Sequence, residues 1–415
     1  MKRRQILLSA GVTVALQSAW TQALAQGKEV VVGAIYPLTG SSAQVGIDAK
    51  QAFETALDII NNASTLDLPT AKNAGLAGLG GAKVRVVYAD HQADPQKGRS
   101  EAERLITQDN VVAIVGCYHS SVSNTVSATC ERYGVPFVCA DSSSPSLTQR
   151  GLKFFFRTAA HDEMFSEAMF DFMDALKAKG QKIGSVGLFY EDTIFGSDSS
   201  NVQRKLANAR GYKIACDIKY RNNSPSLTAE VQQIKSANPD VLMPSSYTTD
   251  AILLTNTMAS MGYKPHNIMA QAAGFVEKPA LDAVGDKLQG KISRASFSAD
   301  MGEKRPSAKA VNAMFKAKAG RDMNDQTSRQ FSALMVLADA IDRAGAADPK
   351  KVRDALAATD IPGDKTIMPW ARVKFDGNGQ NTFASPVLIQ WTKSGFATVY
   401  PFEVATTKLV WPMSA

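Results

Sequence analysis

The chain has little of what metal and nucleophilic chemistry uses: four cysteines and four histidines in 415 residues. Cys117, Cys130, Cys139 and Cys216 form no C-x-x-C pair and no tight Cys/His cluster, so neither a metal centre nor a metal cofactor is expected. His91, His119, His161 and His266 are dispersed, although His119 and His161 both fall beside predicted strand ends. No strand-anchored G-x-G-x-x-G, no G-x-S-x-G and no H-E-x-x-H occurs, and no nucleophile stands at readable spacing from a base. The pattern therefore implies no enzyme and no cofactor. The glycine-rich stretch from Pro69 to Gly81 lacks the Gly-Lys-Ser/Thr ending of a phosphate loop and reads as a flexible surface loop. Basic runs interleaved with aromatics are missing too. The formal charge of +7 therefore does not point to nucleic acid.

What is present begins at the N-terminus. Lys2, Arg3 and Arg4 precede an apolar stretch from Ile6 to Leu16 and the small-residue triplet Ala23-Leu24-Ala25. That is the pattern of a signal peptide over residues 1–25, cut after Ala25, which directs the mature chain to the periplasm. The stretch is broken by Ser9, Gly11 and Thr13 and is too short to anchor the chain in a bilayer. Sec and twin-arginine export both stay open. Without Lys2, Arg3 and Arg4 the chain carries 43 basic against 39 acidic side chains, a net of +4. In an oxidising compartment a bridge among Cys117, Cys130 and Cys139 is open, with no readable pairing, and Cys216 reads as a lone buried thiol.

The remaining length suits two domains of ordinary size. Apolar β-branched runs alternate with helical patterns: Val30 to Ile35, a helix from about Ala43 to Asn62, Val84 to Tyr88, and a helix opened by Asp94-Pro95. Val111 to Gly116, a helix closed by Gly134, and Pro136 to Ala140 continue the rhythm. A second series follows Gly180, with strands near Ile183 to Tyr190, Ile214, Asp240 to Pro244 and Asn267 to Ala270. Two α/β units with mainly parallel sheets are more plausible than one very wide sheet. Helices near Ser307 to Ala319 and Gln326 to Ala344 precede short strands and a turn at Asp376-Gly377-Asn378-Gly379.

At Val32-Gly33 through Pro37-Leu38-Thr39-Gly40, Asp90 with Asp94-Pro95, Ala113-Ile114-Val115-Gly116 with Ser120-Ser121, Ser144-Pro145-Ser146-Leu147-Thr148, Phe156-Arg157-Thr158 and Phe195-Gly196, the sequence resembles the type I periplasmic binding proteins of the leucine/isoleucine/valine-binding family. The resemblance covers nearly the whole mature chain. It implies two Rossmann-like lobes joined by three crossover strands, with a small molecule held between them and delivered to an ABC transporter permease. Lobe one would comprise residues 28–158 and 298–386, and lobe two residues 159–297 and 387–415. The protein would act as a monomer without catalysis. A sensory receptor component and an exported enzyme on a doubly wound fold are the competing readings.

The same resemblance selects the ligand-binding candidates. Ser120 and Ser121 follow a strand and open a helix whose free amides attract a carboxylate; plain N-capping is the alternative. Asp141, Ser142 and Ser143 match a loop that clasps the polar end of the ligand, and could equally form a serine-rich turn. Asp162 matches an acid that helps bind an amino group in several relatives, or caps a helix. Phe195 and Tyr247 stand where lobe-two aromatics close over the ligand, with core packing the alternative for Phe195. Near Ala270-Gln271-Ala272-Ala273-Gly274 the relatives commonly supply a glutamate for the ligand's ammonium, and here no acid is present. Either Asp162, with Asp141, carries that charge or the ligand has no ammonium. The expectation is a small carboxylate or amide with an apolar or aromatic side, a branched-chain amino acid being the close second.

Overall fold

The β-branched runs and intervening helices build two separate sheets. The computed structural model describes residues 29–413, so the signal-peptide reading of residues 1–25 lies outside the described residues. In lobe one, β1 (Glu29–Tyr36), β2 (Lys83–Asp90), β3 (Ile114–Gly116), β4 (Phe137–Cys139) and β5 (Phe155–Arg157) are all parallel, in the order β2-β1-β3-β4-β5. Parallel neighbours need crossovers, and α1 (Ala43–Asn61), α2 (Pro95–Thr107) and α3 (Ser120–Tyr133) provide them. The start of α2 is fixed as its sequence dictates: Asp94 accepts from the amides of Gln96 and Lys97 at 2.6 and 3.0 Å, with Pro95 next in line. Phe53 of α1 is fully buried between Tyr36 and Tyr88, a burial worth about 1.5–3 kcal/mol.

Lobe two holds α4 (Asp162–Ala178), β6 (Ser185–Glu191), α5 (Ile194–Ala209), β7 (Lys213–Tyr220), α6 (Thr228–Ala237), β8 (Val241–Ser245) and α7 (Thr248–Ser260). Strands β7, β6 and β8 are parallel in that order. The sheet runs on through backbone bonds from Leu242 to Asn267 and from Gln271 to Pro244, both 2.9 Å, to β9 (Met269–Ala270). After α8 (Lys278–Val284), β10 (Ile292–Ala295) pairs parallel with β9.

The chain then returns to lobe one as α9 (Ala299–Gly302), α10 (Pro306–Ala319), α11 (Asp325–Ala344), α12 (Pro349–Ala357) and the antiparallel pair β11 (Asp360–Pro362) and β12 (Arg372–Lys374). Its last passage adds β13 (Val387–Thr392) antiparallel to β10, and β14 (Gly395–Tyr400) antiparallel to β13. Nearly every residue of α11 is buried, because it lies against α1 and behind β3 and β4. A capping box of Asn324 and Thr327 sets where it starts, and so which polar residues of its first turns face the other lobe.

Two expectations need correction. Pro69 to Gly81 is packed down rather than loose: Ala71 and Leu76 are buried, and the Gly78 amide donates to Asp342 of α11 at 2.7 Å. Cys117, Cys130 and Cys139 are all free and buried in the apolar layer under the first sheet, where burial pushes their thiols up and they pack as small apolar groups. Cys216 is also free but only partly buried.

The turn Asp376 to Gly379 docks on β5. The Arg157 amide donates to the Gly379 carbonyl at 2.7 Å, and the Asn381 amide to the Arg157 carbonyl at 2.9 Å. Gly379 has φ +76°, and a Cβ there would land on the Phe155 carbonyl oxygen. Gly379→Ala is expected to lower the stability of the folded chain by at least about 1–3 kcal/mol, read as a lower denaturant midpoint at unchanged slope.

Candidate functional site

The carboxyl ends of the parallel strands of both lobes open onto one crevice, as doubly wound sheets dictate. Lobe one contributes Tyr36 from the end of β1, Tyr118 and His119 from the loop after β3, and Asp141 to Ser144 after β4. Lobe two contributes Phe195 after β6, Tyr247 and Thr248 after β8, and Gln271 to Glu277 after β9. The first turns of α11 bring Asp325, Gln326, Arg329 and Gln330 to the same place, and β10 brings Arg294.

Phe195 and Tyr247 meet directly, with ring centroids 5.2 Å apart, and Tyr247 reaches across the crevice to Tyr118 at 5.4 Å and His119 at 4.7 Å. Such spacings are those of attractive aromatic pairs, so the four rings hold the lobes together while offering apolar faces. Helix α3 starts at Ser120, with His119 at its N-cap and no side chain capping it. Ser120 is buried and Ser121 partly so. Neither acts as the N-cap. Burial raises the pKa of the Tyr247 hydroxyl well above the usual phenol value, Glu191 adds to this, and the Ser120 N–H opposes it.

Asp141 and Ser143 line the crevice, whereas Ser142 faces inward. Asp141 accepts from the Tyr36 hydroxyl at 2.8 Å and from Gln330 at 3.1 Å, both on Oδ2, while Oδ1 has no hydrogen-bond partner. Burial pushes its carboxyl up, against Arg329, Gln330 and Tyr36. The Ser142 hydroxyl donates toward the Cys117 and Tyr118 carbonyls at 2.9 and 3.0 Å, fastening the β4 loop to the β3 loop. Ser143 accepts from Arg294 at 3.2 Å.

Asp162 is the first residue of α4 rather than its cap, and is fully buried. It accepts from Ser199 at 2.6 Å and Gln271 at 2.8 Å, with Arg294 at 3.9 Å. Both its oxygens are thus engaged by the chain itself.

No acid stands in Ala270 to Gly274, but Glu277 brings a lobe-two carboxylate to the crevice. It stands at the N-cap of α8, three residues beyond Gly274, and its buried carboxylate accepts from Tyr118 and Thr248 and, at 3.2 Å, from Gln326. Gly274 makes this approach feasible, because a Cβ there would strike the backbone of Tyr247 and Thr248. No lysine or arginine pairs with Glu277 among the described residues. Burial therefore pushes its pKa up to about 7, with Tyr118 and Gln326 opposing and Asp48 and Asp141 reinforcing.

Several of these residues were readable only in part. Arg294 is a charge in the short strand Ile292 to Ala295, and Gln326, Arg329 and Gln330 share one helical face by their spacing. Glu277 carried no comparable signal. His161 caps α4 with an unpartnered Nδ1, and burial lowers its pKa to about 3. Open grooves of about 490, 470, 360 and 350 Å3 lie elsewhere, lined by Asp67 and Arg343, by Arg305 and Trp370, by Met301 and Val404, and by Thr255 and Met413. The crevice is the stronger site because buried polar atoms of both lobes converge there.

A carboxyl raised to about 7 in the closed crevice binds more protons than the same group exposed to water, whose pKa is near 4.5. Its contribution to ligand-free closure is therefore full below about 4.5 and is lost as pH rises through about 7, an effect of at most about 3 kcal/mol. Thermal stability of the ligand-free protein should fall between those limits relative to Glu277→Gln, measured side by side by calorimetry.

Comparison with known proteins agrees with this architecture. A profile described as periplasmic binding protein matches residues 29–395. The Leu/Ile/Val-binding protein homolog 8 of Brucella suis biovar 1 (strain 1330) is 28% identical over 417 residues, covering 99% of each chain. The leucine binding protein LivK of Thermotoga maritima MSB8 superposes with a TM-score of 0.76 at 22% identity, over 89% of this chain and 97% of its own. A solute binding protein of an ABC transporter from Rhodopseudomonas palustris BisB5, solved in complex with 3,4-dihydroxybenzoic acid, gives 0.71 at 17% identity, over 89% and 95%. With two parallel-stranded lobes, three crossings and a family profile spanning nearly all the described residues, the chain belongs to the periplasmic binding protein family.

Proposed function

We propose that the protein is the periplasmic solute-binding component of an ABC importer, working as a single chain that captures a small carboxylate between its lobes and releases it unchanged to a membrane permease. The observation that carries this reading is a crevice buried between two lobes whose polar atoms remain incompletely partnered: Asp141 Oδ1, His119 Nδ1, and Nε and Nη1 of Arg294. Buried polar atoms without partners cost about 1–3 kcal/mol each, so such a cluster favours an incoming polar molecule.

The solute's character follows from charge and shape. Arg157, Arg294 and Arg329 stand with Asp141, Asp162 and Asp325 in the buried layer, and Glu191 and Glu277 are further buried acids at the lobe-two strand ends, Glu277 without a lysine or arginine beside it among the described residues. A solute with an ammonium or hydroxyl donor would meet Glu277, and its apolar or aromatic body would lie against Tyr118, Phe195 and Tyr247. Leucine and 3,4-dihydroxybenzoic acid, named for two structural relatives, share that plan: a carboxylate, a second polar donor and an apolar body. Asp141, Ser143, Phe195, Tyr247 and Glu277 form the proposed contact set, with Ser120 and Ser121 beside it at the start of α3. Ser142 and Asp162 support it from behind.

Lobe one is assigned to residues 28–158 and 298–386 and lobe two to 159–297 and 387–415, free to rotate about the three crossings. Mass spectrometry of protein purified without refolding should release a small acid. X-ray scattering should show a smaller radius of gyration when that acid is returned. Tyr247→Ala should weaken its binding roughly tenfold or more. An unchanged radius at saturation, or Tyr247→Ala binding as tightly as wild type, would count against capture between the lobes.

A further inference from the structure

We infer that the acidic group of the solute is held by Arg294, with Ser143 beside it, and not by the start of α3. This rests on the reading of the crevice as a solute site and names the group that takes the acid.

Arg294 leaves β10 where the chain turns back toward lobe one and is only 2% exposed. A guanidinium carries five N–H donors. Of these, the structure pairs one, from Nη2 to the Ser143 hydroxyl at 3.2 Å; Nε and Nη1 have no partner. The Asp162 and Asp325 carboxylates lie 3.9 and 3.8 Å away, near enough to balance charge but beyond hydrogen-bonding distance. The flat face of the guanidinium rests on Phe165, 3.9 Å from the ring centroid, which fixes its plane and leaves its edges as the reactive directions.

The other two buried arginines show how unusual this is. Arg157 reaches Gln380 at 2.7 Å, the Ser144 carbonyl at 2.7 Å and Thr148 at 3.0 Å. Arg329 reaches the Asp325 carboxylate at 2.9 Å and the Asp141 and Asp325 carbonyls at 3.1 Å. Each is completed by the chain. Arg294 alone of the three has guanidinium nitrogens with no partner, and a planar carboxylate is the partner whose geometry fits a guanidinium edge. At the start of α3, by contrast, the Tyr247 ring already covers the N-cap, its centroid 4.7 Å from that of His119. Glu277, held largely neutral up to about pH 7, keeps the buried layer from accumulating negative charge when the acid enters.

The experiment compares acid with amide. L-leucine and L-leucinamide, and 3,4-dihydroxybenzoate and its amide, are titrated calorimetrically into wild type, Arg294→Met, Arg294→Lys and Ser120→Ala; if the natural solute released from the protein is another acid, it and its amide form a third pair. The expected result is an acid preferred over its amide by roughly 10- to 100-fold in wild type, the preference lost in Arg294→Met, partly kept in Arg294→Lys and unchanged in Ser120→Ala. Arg294→Lys keeps the buried charge and serves as the reference if Arg294→Met does not fold; a full acid preference there, with none in Ser120→Ala, overturns the assignment. So does a preference that survives Arg294→Met, as expected if ordered water completes Arg294. A natural solute with no acidic group overturns the assignment while solute capture stands. If nothing is bound or released at all, the solute-binding reading falls with it.

Discussion

Burying full charges between two sheets is the constraint from which the rest of this structure follows. Arg157, Arg294 and Arg329, with Asp141, Asp162 and Asp325, are each withdrawn from water at the place where the chain passes between its lobes. Ions so buried are tolerated when paired and hydrogen-bonded, and costly otherwise. The neighbours are accordingly polar at positions where a core would be apolar: Gln271 and Ser199 serve Asp162, Gln330 and Tyr36 serve Asp141, and Gln380 serves Arg157. The depth of α11 in lobe one has the same origin. It must be buried to deliver Asp325 and Arg329 to this layer, and its capping box fixes the register at which they arrive.

Closure of the lobes rests on the contacts laid over that charged layer. Tyr247 of lobe two packs on Tyr118 and His119 of lobe one, and Glu277 of lobe two accepts from Tyr118 and Gln326 of lobe one. These groups are individually modest in strength. Aromatic pairs contribute about 0.5–1.5 kcal/mol, and a buried carboxylate without a cation opposes closure once ionised. The proposed function draws on this: contacts of that strength would let the lobes part and would be biased by a molecule that supplies the missing partners.

Much of the fold was legible in the residues. The strands of β-branched residues, the Asp94-Pro95 helix start and the Gly134 helix end are local signals with local causes, and each stands where the sequence put it. Short helices such as α6, α8 and α12 were not, because one to three turns carry too little periodicity and are held by packing rather than propensity. Within the crevice, the loops after β3 and β4 and the positions of Ser120, Asp141, Ser143, Phe195 and Tyr247 beside strand ends were legible because a strand end is a local signal; their contact with a solute is part of the proposed function. The fate of each side chain was not. Ser142 and Asp162 have the same chemistry as ligand contacts, yet their partners at Cys117, Tyr118, Ser199 and Gln271 come from distant segments.

The sequence by itself determined the alternation of strands and helices, the division into two α/β lobes, the lack of metal and nucleophile motifs, and the loops that face the crevice. Those features depend on neighbours a few residues apart along the chain. Tertiary structure alone decided that the Glu277 carboxylate reaches Tyr118, Thr248 and Gln326, that the three thiols of lobe one stay apart in an apolar layer, and that Arg294 has nitrogens without a partner while Arg157 and Arg329 do not. Whether a buried charge is satisfied depends on what the rest of the chain brings within hydrogen-bonding distance. That is settled by how the two lobes meet.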